Sequence, residues 1–297
     1  MPDRSRLPLI AIAVTLVLWA SAFVAIRHLG DTFSPGALSL GRLVVGSIAL
    51  GILVLRQHWV PIDRGQAWRI LVIGLLWFGF YNVSLNAGER RVDAGTAALL
   101  IQVSPILVAF LAAAFLGERA TRWLWIGSVV SFGGVALIAT ASQGQADRDP
   151  IGVLLCVLAA AAYAVSLVLQ KPLVARLSAV QVTWAACTVG AVACLPFAGT
   201  LYGEWQSASG ADRAYLVYLG LFPTAIAFTT YAFALRHMAT ARLSVSTYLV
   251  PPITVLLSAT LLSETPPAIA YVGGALALLG VSLTRRTTVR PALRRDR

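Results

Sequence analysis

Apolar residues run along this chain in stretches of about twenty, each closed by a short polar break that often carries arginine. That length predicts helices able to cross a bilayer. Ten such spans are predicted: Leu7–Ile26, Pro35–Leu55, Trp68–Gly88, Gly95–Leu116, Trp123–Thr140, Ile151–Gln170, Val180–Gly199, Ala214–Leu235, Ala241–Leu262 and Ala268–Thr284. Most breaks hold about 5 to 12 residues, too few for a domain outside the membrane. The break from Ala141 to Pro150 is polar and turn-rich and reads as the linker between two halves, residues 1–145 and 146–297.

The second half repeats the first. The stretch from Leu85 to Gly134 returns 146 residues later, with Pro105 on Pro251, Glu118 on Glu264, Gly127 on Gly273 and Gly134 on Gly280. The start of the chain repeats at an offset of 144, where Trp19 to Arg27 matches Tyr163 to Lys171. Five spans is an odd number, so the second half enters the membrane from the opposite side. The predicted fold is therefore an all-α membrane protein, ten transmembrane helices in two inverted five-helix repeats. Repeats of this kind place a substrate site at their interface near the bilayer midplane.

Composition agrees: 58% of the 297 residues are hydrophobic, 12% are charged and mean hydropathy is +0.80. Soluble domains carry about 25% charged residues. The net charge of +11 does not indicate nucleic-acid binding, because the basic residues sit in short loops, where they set topology. With the N-terminus in the cytoplasm, 17 basic residues fall on that side, among them Arg56, Arg64, Arg69, Lys171 and the C-terminal arginines. Five fall outside (Arg27, Arg90, Arg91, Arg148, Arg213), and Arg42 is left within a span. Both termini are expected in the cytoplasm of a multi-pass protein of the bacterial plasma (inner) membrane. Arg4 and Arg6 before an apolar run, with Ala20-Ser21-Ala22, resemble a cleavable leader. That run continues to Ile26 and has a counterpart in the second half, so it is read as the first span.

Several chemistries are excluded. Cys156, Cys187 and Cys194 lie in apolar runs with no Cys-x-x-Cys spacing, and His28, His58 and His237 sit in loops far apart, so no metal site is expected. There is no Gly-rich phosphate loop, no cofactor motif and no catalytic constellation; an enzyme is not expected. Carboxylates inside the spans are nearly lacking, which leaves Glu89 and Asp93 at the periphery for any proton coupling.

The candidate substrate-binding residues cluster on matched helices. Pro105 and the pair Pro251-Pro252 fall inside the fourth and ninth spans, where proline removes a donor and displaces a carbonyl four residues earlier. They are the expected kinks. Gln102 and Tyr248 stand three residues before the matched prolines and, where they line a pocket, are expected to approach one another near the midplane in at least one conformation. The third span carries Asn82, Asn86 and Glu89 on one face with Tyr81 nearby, and the eighth answers with Thr229, Thr230 and Tyr231. Trp19 and Phe23, one turn apart, suit stacking against a flat ligand, and Tyr163 is the match of Trp19. Arg42 is costly inside a span; pairing with carbonyls, reaching the interface or binding a substrate carboxylate would each offset that cost. It and Glu89 are the candidate charge site. Small faces at Gly127, Ser131, Gly134 and Gly273, Ala277, Gly280 suit close helix packing, between halves or between protomers, so a homodimer stays open.

These patterns resemble the drug/metabolite transporter superfamily, EamA type. The resemblance covers nearly the whole chain and rests on WASAFVAIR, on SPGALSLGRLVVG with Arg42, on SPILVAFLAAAFLGE ending at Glu118, on VPPITVLLSATLLSE ending at Glu264, and on YVGGALALLGV. It implies export of small metabolites, often amino acids or related compounds, through a cavity lined by the first, third, fourth, sixth, eighth and ninth helices. One departure stands out: Ala186 occupies the place matching Arg42, so the charged site is not symmetric. The expectation is an exporter working by alternating access, with a small-molecule substrate and the lipid bilayer as partners. An importer, a lipid or drug flippase, a membrane enzyme and an assembly subunit are the alternatives.

Overall fold

The computed structural model describes residues 6–92, 100–141, 149–261 and 268–284. The described residues are helical and contain no strand. Among the described residues six helices are long and apolar enough to cross a membrane, namely α1 (Leu7–Leu29), α2 (Pro35–Val54), α3 (Arg64–Glu89), α5 (Arg122–Ala141), α6 (Pro150–Val174) and α8 (Gly210–His237). The shorter α4 (Ser104–Leu116) and α10 (Ala268–Thr284) are also apolar. The seventh predicted span is not straight: α7 runs from Ala179 to Ala193, bends by 53° and continues as Leu195–Ser207, a seventh crossing if the pair is one span. Pro196 sits at this bend, where its ring forbids the preceding helical geometry.

The prolines taken as kinks within spans begin helices instead. The chain turns at Gln102 and Val103, and α4 starts with Pro105 in its first turn. In the second half, α9 is Thr240–Val245, a 3₁₀ stretch Ser246–Leu249, then Val250–Leu261 with Pro251 and Pro252 at its start. Proline is tolerated in a first turn because the N–H it lacks has no partner there. Both helices are thus broken one residue or more before the matched prolines.

The most extensive contacts cross between the halves. α5 lies along α10, α2 along α7, α1 against α8 and α9, α3 against α6 and α7, and α4 against α6 and α9. Matched helices run antiparallel. Gly127 faces Gly280 while Gly134 faces Gly273, and Ser47 bonds Thr188 at 2.6 Å while Gly51 faces Trp184 further on. A Cβ on Gly127 would strike the Gly280 carbonyl and Thr284, so backbone approaches backbone with no room for a side chain. Ser131 donates to the Ala277 carbonyl across this seam at 3.1 Å. The small faces meet each other inside one chain, so they no longer argue for a homodimer.

A second repeated device lies in α3 and α8. Each widens into a π-helix that begins at a glycine, Gly74–Tyr81 and Gly220–Ile226, again 146 residues apart. A Cβ on Gly74 would meet Val189 and the Ala186 carbonyl of α7; on Gly220 it would meet Val45 and the Arg42 carbonyl of α2. These partners are themselves offset by 144, so one contact is built twice. Side chains hold the widened turns: Asn82 donates to the Trp77 and Phe78 carbonyls (3.1 and 2.9 Å), and Thr224 to Leu219 (2.8 Å). Single π-helical turns often mark functional sites.

Candidate functional site

The first π-helical segment and the helical turns that follow the second bring aromatic side chains to the boundary between the halves. From the first half come Trp19 on α1 and Trp77, Phe78 and Tyr81 on α3; from the second come Tyr163 on α6 and Phe228 and Tyr231 on α8. Trp19 packs on Tyr231 and Phe228 with centroids 4.8 and 5.4 Å apart. Trp77 packs edge-on against Tyr163 and Phe228 at 5.0 and 5.1 Å, and Tyr81 reaches Tyr163 at 6.4 Å. The hydroxyls of Tyr163 and Tyr231, both buried, bond each other at 2.6 Å. Aromatic pairs of this geometry contribute about 0.5–1.5 kcal/mol beyond their buried area, so the cluster both binds the halves together and offers flat apolar surfaces. Trp19, Tyr81 and Phe23 at its margin are only partly buried.

Beside the cluster lies a polar patch on α2 and α3. Asn86 donates to Ser39 at 3.2 Å and approaches the Pro35 carbonyl at 3.5 Å, which ties the two helices together. Arg42 is 6% exposed, and its Nε donates to the Thr224 hydroxyl at 3.0 Å. Among the described residues its two terminal nitrogens have no hydrogen-bond partner. Glu89, half-buried at the end of α3, likewise has neither hydrogen bond nor ion pair.

The remaining predicted residues are placed as follows. Gln102, buried, donates to the Thr247 carbonyl at 2.8 Å. Tyr248 is also buried, but its ring packs with Ala109, Leu124, Val135 and Val281 between α4, α5, α9 and α10. In this structure the Gln102 and Tyr248 side chains do not meet: the amide is used on backbone and the ring lies in a different core. The Tyr248 hydroxyl has no partner among the described residues. Asn82 spends its amide on its own helix, as above. Of the Thr pair, Thr230 bonds Thr15 of α1 at 2.8 Å, and Thr229 is half-buried, its hydroxyl without a partner among the described residues. His28 and His237 lie in helix ends rather than loops. Asp93 and Glu264 fall outside the described residues.

Sequence reasoning missed Trp77, Phe78 and Phe228, which join the halves. The available signal was the repeated glycine, Gly74 and Gly220, together with aromatics one turn apart at Trp77 and Tyr81. It also left Glu118 as a landmark without a role. The Glu118 carboxylate accepts from the N–H groups of Thr240 and Ala241 at 2.8 and 3.1 Å, satisfying the free donors at the start of α9. Lys171 closes the same corner by donating to the Leu235 and Met238 carbonyls, each at 2.6 Å. At the far end of the bundle Arg91 bonds Asp149 at 2.8 Å and holds that carboxyl below the usual carboxylate range.

Comparison with known proteins follows the same division. Residues 6–140 and 150–286 each match the EamA-like transporter family. The chain is 39% identical to a probable terminal-alkyne amino-acid exporter of Streptantibioticus cattleyicolor, over 94% of this chain and 93% of that one. It is 32% identical to the uncharacterized transporter YdfC of Bacillus subtilis, over 93% and 90%. One crystal structure superposes with a TM-score of 0.78 over 95% of this chain and 97% of the other, at 21% identity; that likeness bears on the fold alone.

Proposed function

The chain belongs to the EamA-like transporter family and is a multi-pass membrane transporter, and from that premise we propose that it exports small metabolites of the amino-acid type. The single observation that carries the reading is the aromatic cluster shared between the halves, closed by the Tyr163–Tyr231 hydroxyl pair. In a carrier built from two halves, a substrate site at their interface is exposed to one side of the membrane and then the other as the halves rock. Residues joined across that interface must separate, at least in part, for the site to open.

On this reading the fold is a set of ten crossings in two inverted five-helix repeats, with units near residues 1–145 and 146–297 and both termini in the cytoplasm of a bacterial inner membrane. Antiparallel pairing of α2 with α7 and of α5 with α10 supports the inversion. Trp19, Phe23, Tyr81, Tyr163 and Tyr231 line the substrate path. Gln102, Asn82 and Tyr248 act one layer out, holding the broken and widened helices in shape. The amino-acid class draws support from the relative named as an exporter of terminal-alkyne amino acids.

The test is flux. Purified protein in liposomes preloaded with L-amino acids, including L-propargylglycine as a terminal-alkyne example, should release them faster than protein-free liposomes. Cells overproducing the protein should accumulate the same compounds outside. Equal release with and without protein for every amino acid would overturn the substrate reading. Uptake with no efflux in cells would overturn the direction.

A further inference from the structure

At the end of the bundle where α2 gives way to α3, the two halves leave a cavity of about 320 Å³ between them. Asp63, Gly65, Gln66 and Arg69 line it from the first half, and Pro172 and Arg176 from the second. The loops around it are fastened to each other. Gln181 of α7 donates to the Val60 carbonyl at 2.7 Å and accepts from the Val60 N–H at 3.4 Å, and Ser178 donates to the Gln57 side chain at 3.1 Å. The cavity is thus part of the joint between the halves. Its wall is rich in donors that have no acceptor. Gln66 is only 8% exposed. Its Oε1 accepts from the Asp63 N–H at 3.0 Å, and the Asp63 carboxylate accepts from the Gln66 N–H at 2.8 Å, the two bonds of a capping box that opens α3. The box leaves the Gln66 amide nitrogen unused. Among the described residues that nitrogen has no acceptor, and neither do the guanidinium groups of Arg69 and Arg176. The Gly65 N–H lies in the first turn of α3, where the helix itself offers no partner. Asp63 is the one carboxylate on the wall, and it is committed to the cap.

We propose that this cavity binds a phosphate group, supplied by the headgroup of an anionic lipid in the adjoining leaflet. Two guanidinium groups, a buried amide and a helix start together match a phosphate, which accepts several charge-assisted hydrogen bonds at once. The surfaces beside the cavity suit the rest of a lipid. Trp68, Leu71 and Leu75 form one exposed apolar face of α3, with Trp68 64% exposed directly before Arg69. Ile151, Leu158 and Val165 form an exposed row on α6, and Pro172 at the cavity wall continues that row. Acyl chains laid along these faces would bring the phosphate to the two arginines. Basic residues assign this end to the cytoplasm, where a basic pocket between helices suits an anionic headgroup. Since Arg69 belongs to one half and Arg176 to the other, one bound headgroup bridges them. The site is separate from the aromatic cluster and does not depend on which solute is carried.

The experiment follows the melting temperature of the purified full-length protein in dodecyl maltoside micelles. It is titrated with dioleoyl phosphatidylglycerol, with dioleoyl phosphatidylcholine, whose choline cancels the phosphate charge, and with inorganic phosphate. The wild type should reach half its full stabilisation at roughly tenfold less phosphatidylglycerol than phosphatidylcholine, the worth of one charge-assisted hydrogen bond. Gln66→Glu is the decisive variant. A glutamate at this place keeps the capping box, so melting without added lipid should hold, yet it puts a carboxylate on the cavity wall and should abolish the preference. Arg69→Gln and Arg176→Gln should each weaken it, and they keep the test open if the glutamate variant fails to fold. Arg56→Gln makes the same change of charge on the same loop but outside the cavity, and should leave the preference intact. A general attraction of the basic surface for anionic lipid would instead weaken alike in all four variants, which overturns the site. A preference that survives Gln66→Glu, or no stabilisation by either phosphatidylglycerol or phosphate, overturns it too. Inorganic phosphate that stabilises as far as phosphatidylglycerol, through the same residues, upholds the phosphate site and overturns the lipid as its source.

Discussion

The side-chain amide of Gln102 donates to the main-chain carbonyl of Thr247 at 2.8 Å, across the boundary between the halves. Thr247 is the carbonyl that Pro251, having no N–H, cannot satisfy. The Val250 N–H reaches it in 3₁₀ fashion, and Gln102 supplies the second donor. A break in one half is thereby held by a side chain from the break in the other. Gln102→Ala should lower stability by about 1 kcal/mol, the net worth of a typical hydrogen bond, with expression intact. Unfolding in mixed micelles measures it, and an unchanged midpoint would remove the bond from the account of stability.

The seam between α5 and α10 admits no side chain. Gly127→Leu or Gly273→Leu should therefore cost more than 1–3 kcal/mol, roughly the usual penalty for overpacking, because the obstacle is backbone and cannot rotate away. Val129→Ala and Leu278→Ala, at exposed positions on the same two helices, are the controls. Thermal melts in detergent and in lipid should rank the glycine variants far below the controls; equal melting would mean the helices do not meet here.

Much of this was legible in the sequence, and the reasons are specific. The repeat placed Gly127 with Gly273 and Gly134 with Gly280, and in space these residues form the seam. Tyr163 and Tyr231 were each singled out from different helices, and they meet. What stayed hidden follows from how helices are written. A glycine inside an apolar run looks the same in an α-helix and at the start of a π-helical turn, so Gly74 and Gly220 announced nothing until their neighbours on α7 and α2 were known. A buried amide such as Asn82 or Gln102 suits a ligand and a displaced carbonyl equally well, and only the fold separates the two. Pro196 lay within an apolar run long enough to span, so the 53° bend of α7 went unseen.

Topology gives a prediction independent of packing. Basic residues favour cytoplasmic termini 17 to 5. Reporter fusions after Ala141 and after Arg297 should then lie on opposite sides, the first outside and the second inside. Alkaline phosphatase and fluorescent-protein fusions read this directly. Both on one side would rule out an odd number of crossings in the second half, and with it the inversion.

At the corner closed by Glu118 the expected effect is modest and directional. Glu118→Gln retains an acceptor for the Thr240 and Ala241 N–H groups but removes the charge, whereas Glu118→Ala leaves both donors free. Helix-start losses of this kind cost about 0.5–2 kcal/mol. The alanine variant should therefore melt below the glutamine variant, and the glutamine variant below the wild type. The reverse order would mean that the carboxylate is opposed by its surroundings.

The Tyr163–Tyr231 pair allows the sharpest separation of stability from transport. Tyr163→Phe leaves the Tyr231 hydroxyl buried without its partner, and Tyr231→Phe does the same to Tyr163. Each single change should cost roughly 1–3 kcal/mol, the penalty for an unsatisfied buried polar group. The double phenylalanine variant removes both hydroxyls and leaves nothing unsatisfied, so its loss should fall below the sum of the singles by about 1 kcal/mol or more, a coupling typical of residues in contact. The ring contacts with Trp19 and Trp77 persist in all three variants, so apolar packing is a constant across the cycle. Transport need not follow stability. If the hydroxyls part to receive substrate, the double variant folds well yet carries amino acids poorly, and its flux falls further than its melting temperature would suggest. Flux that tracks stability across all four proteins would assign the pair to the scaffold alone.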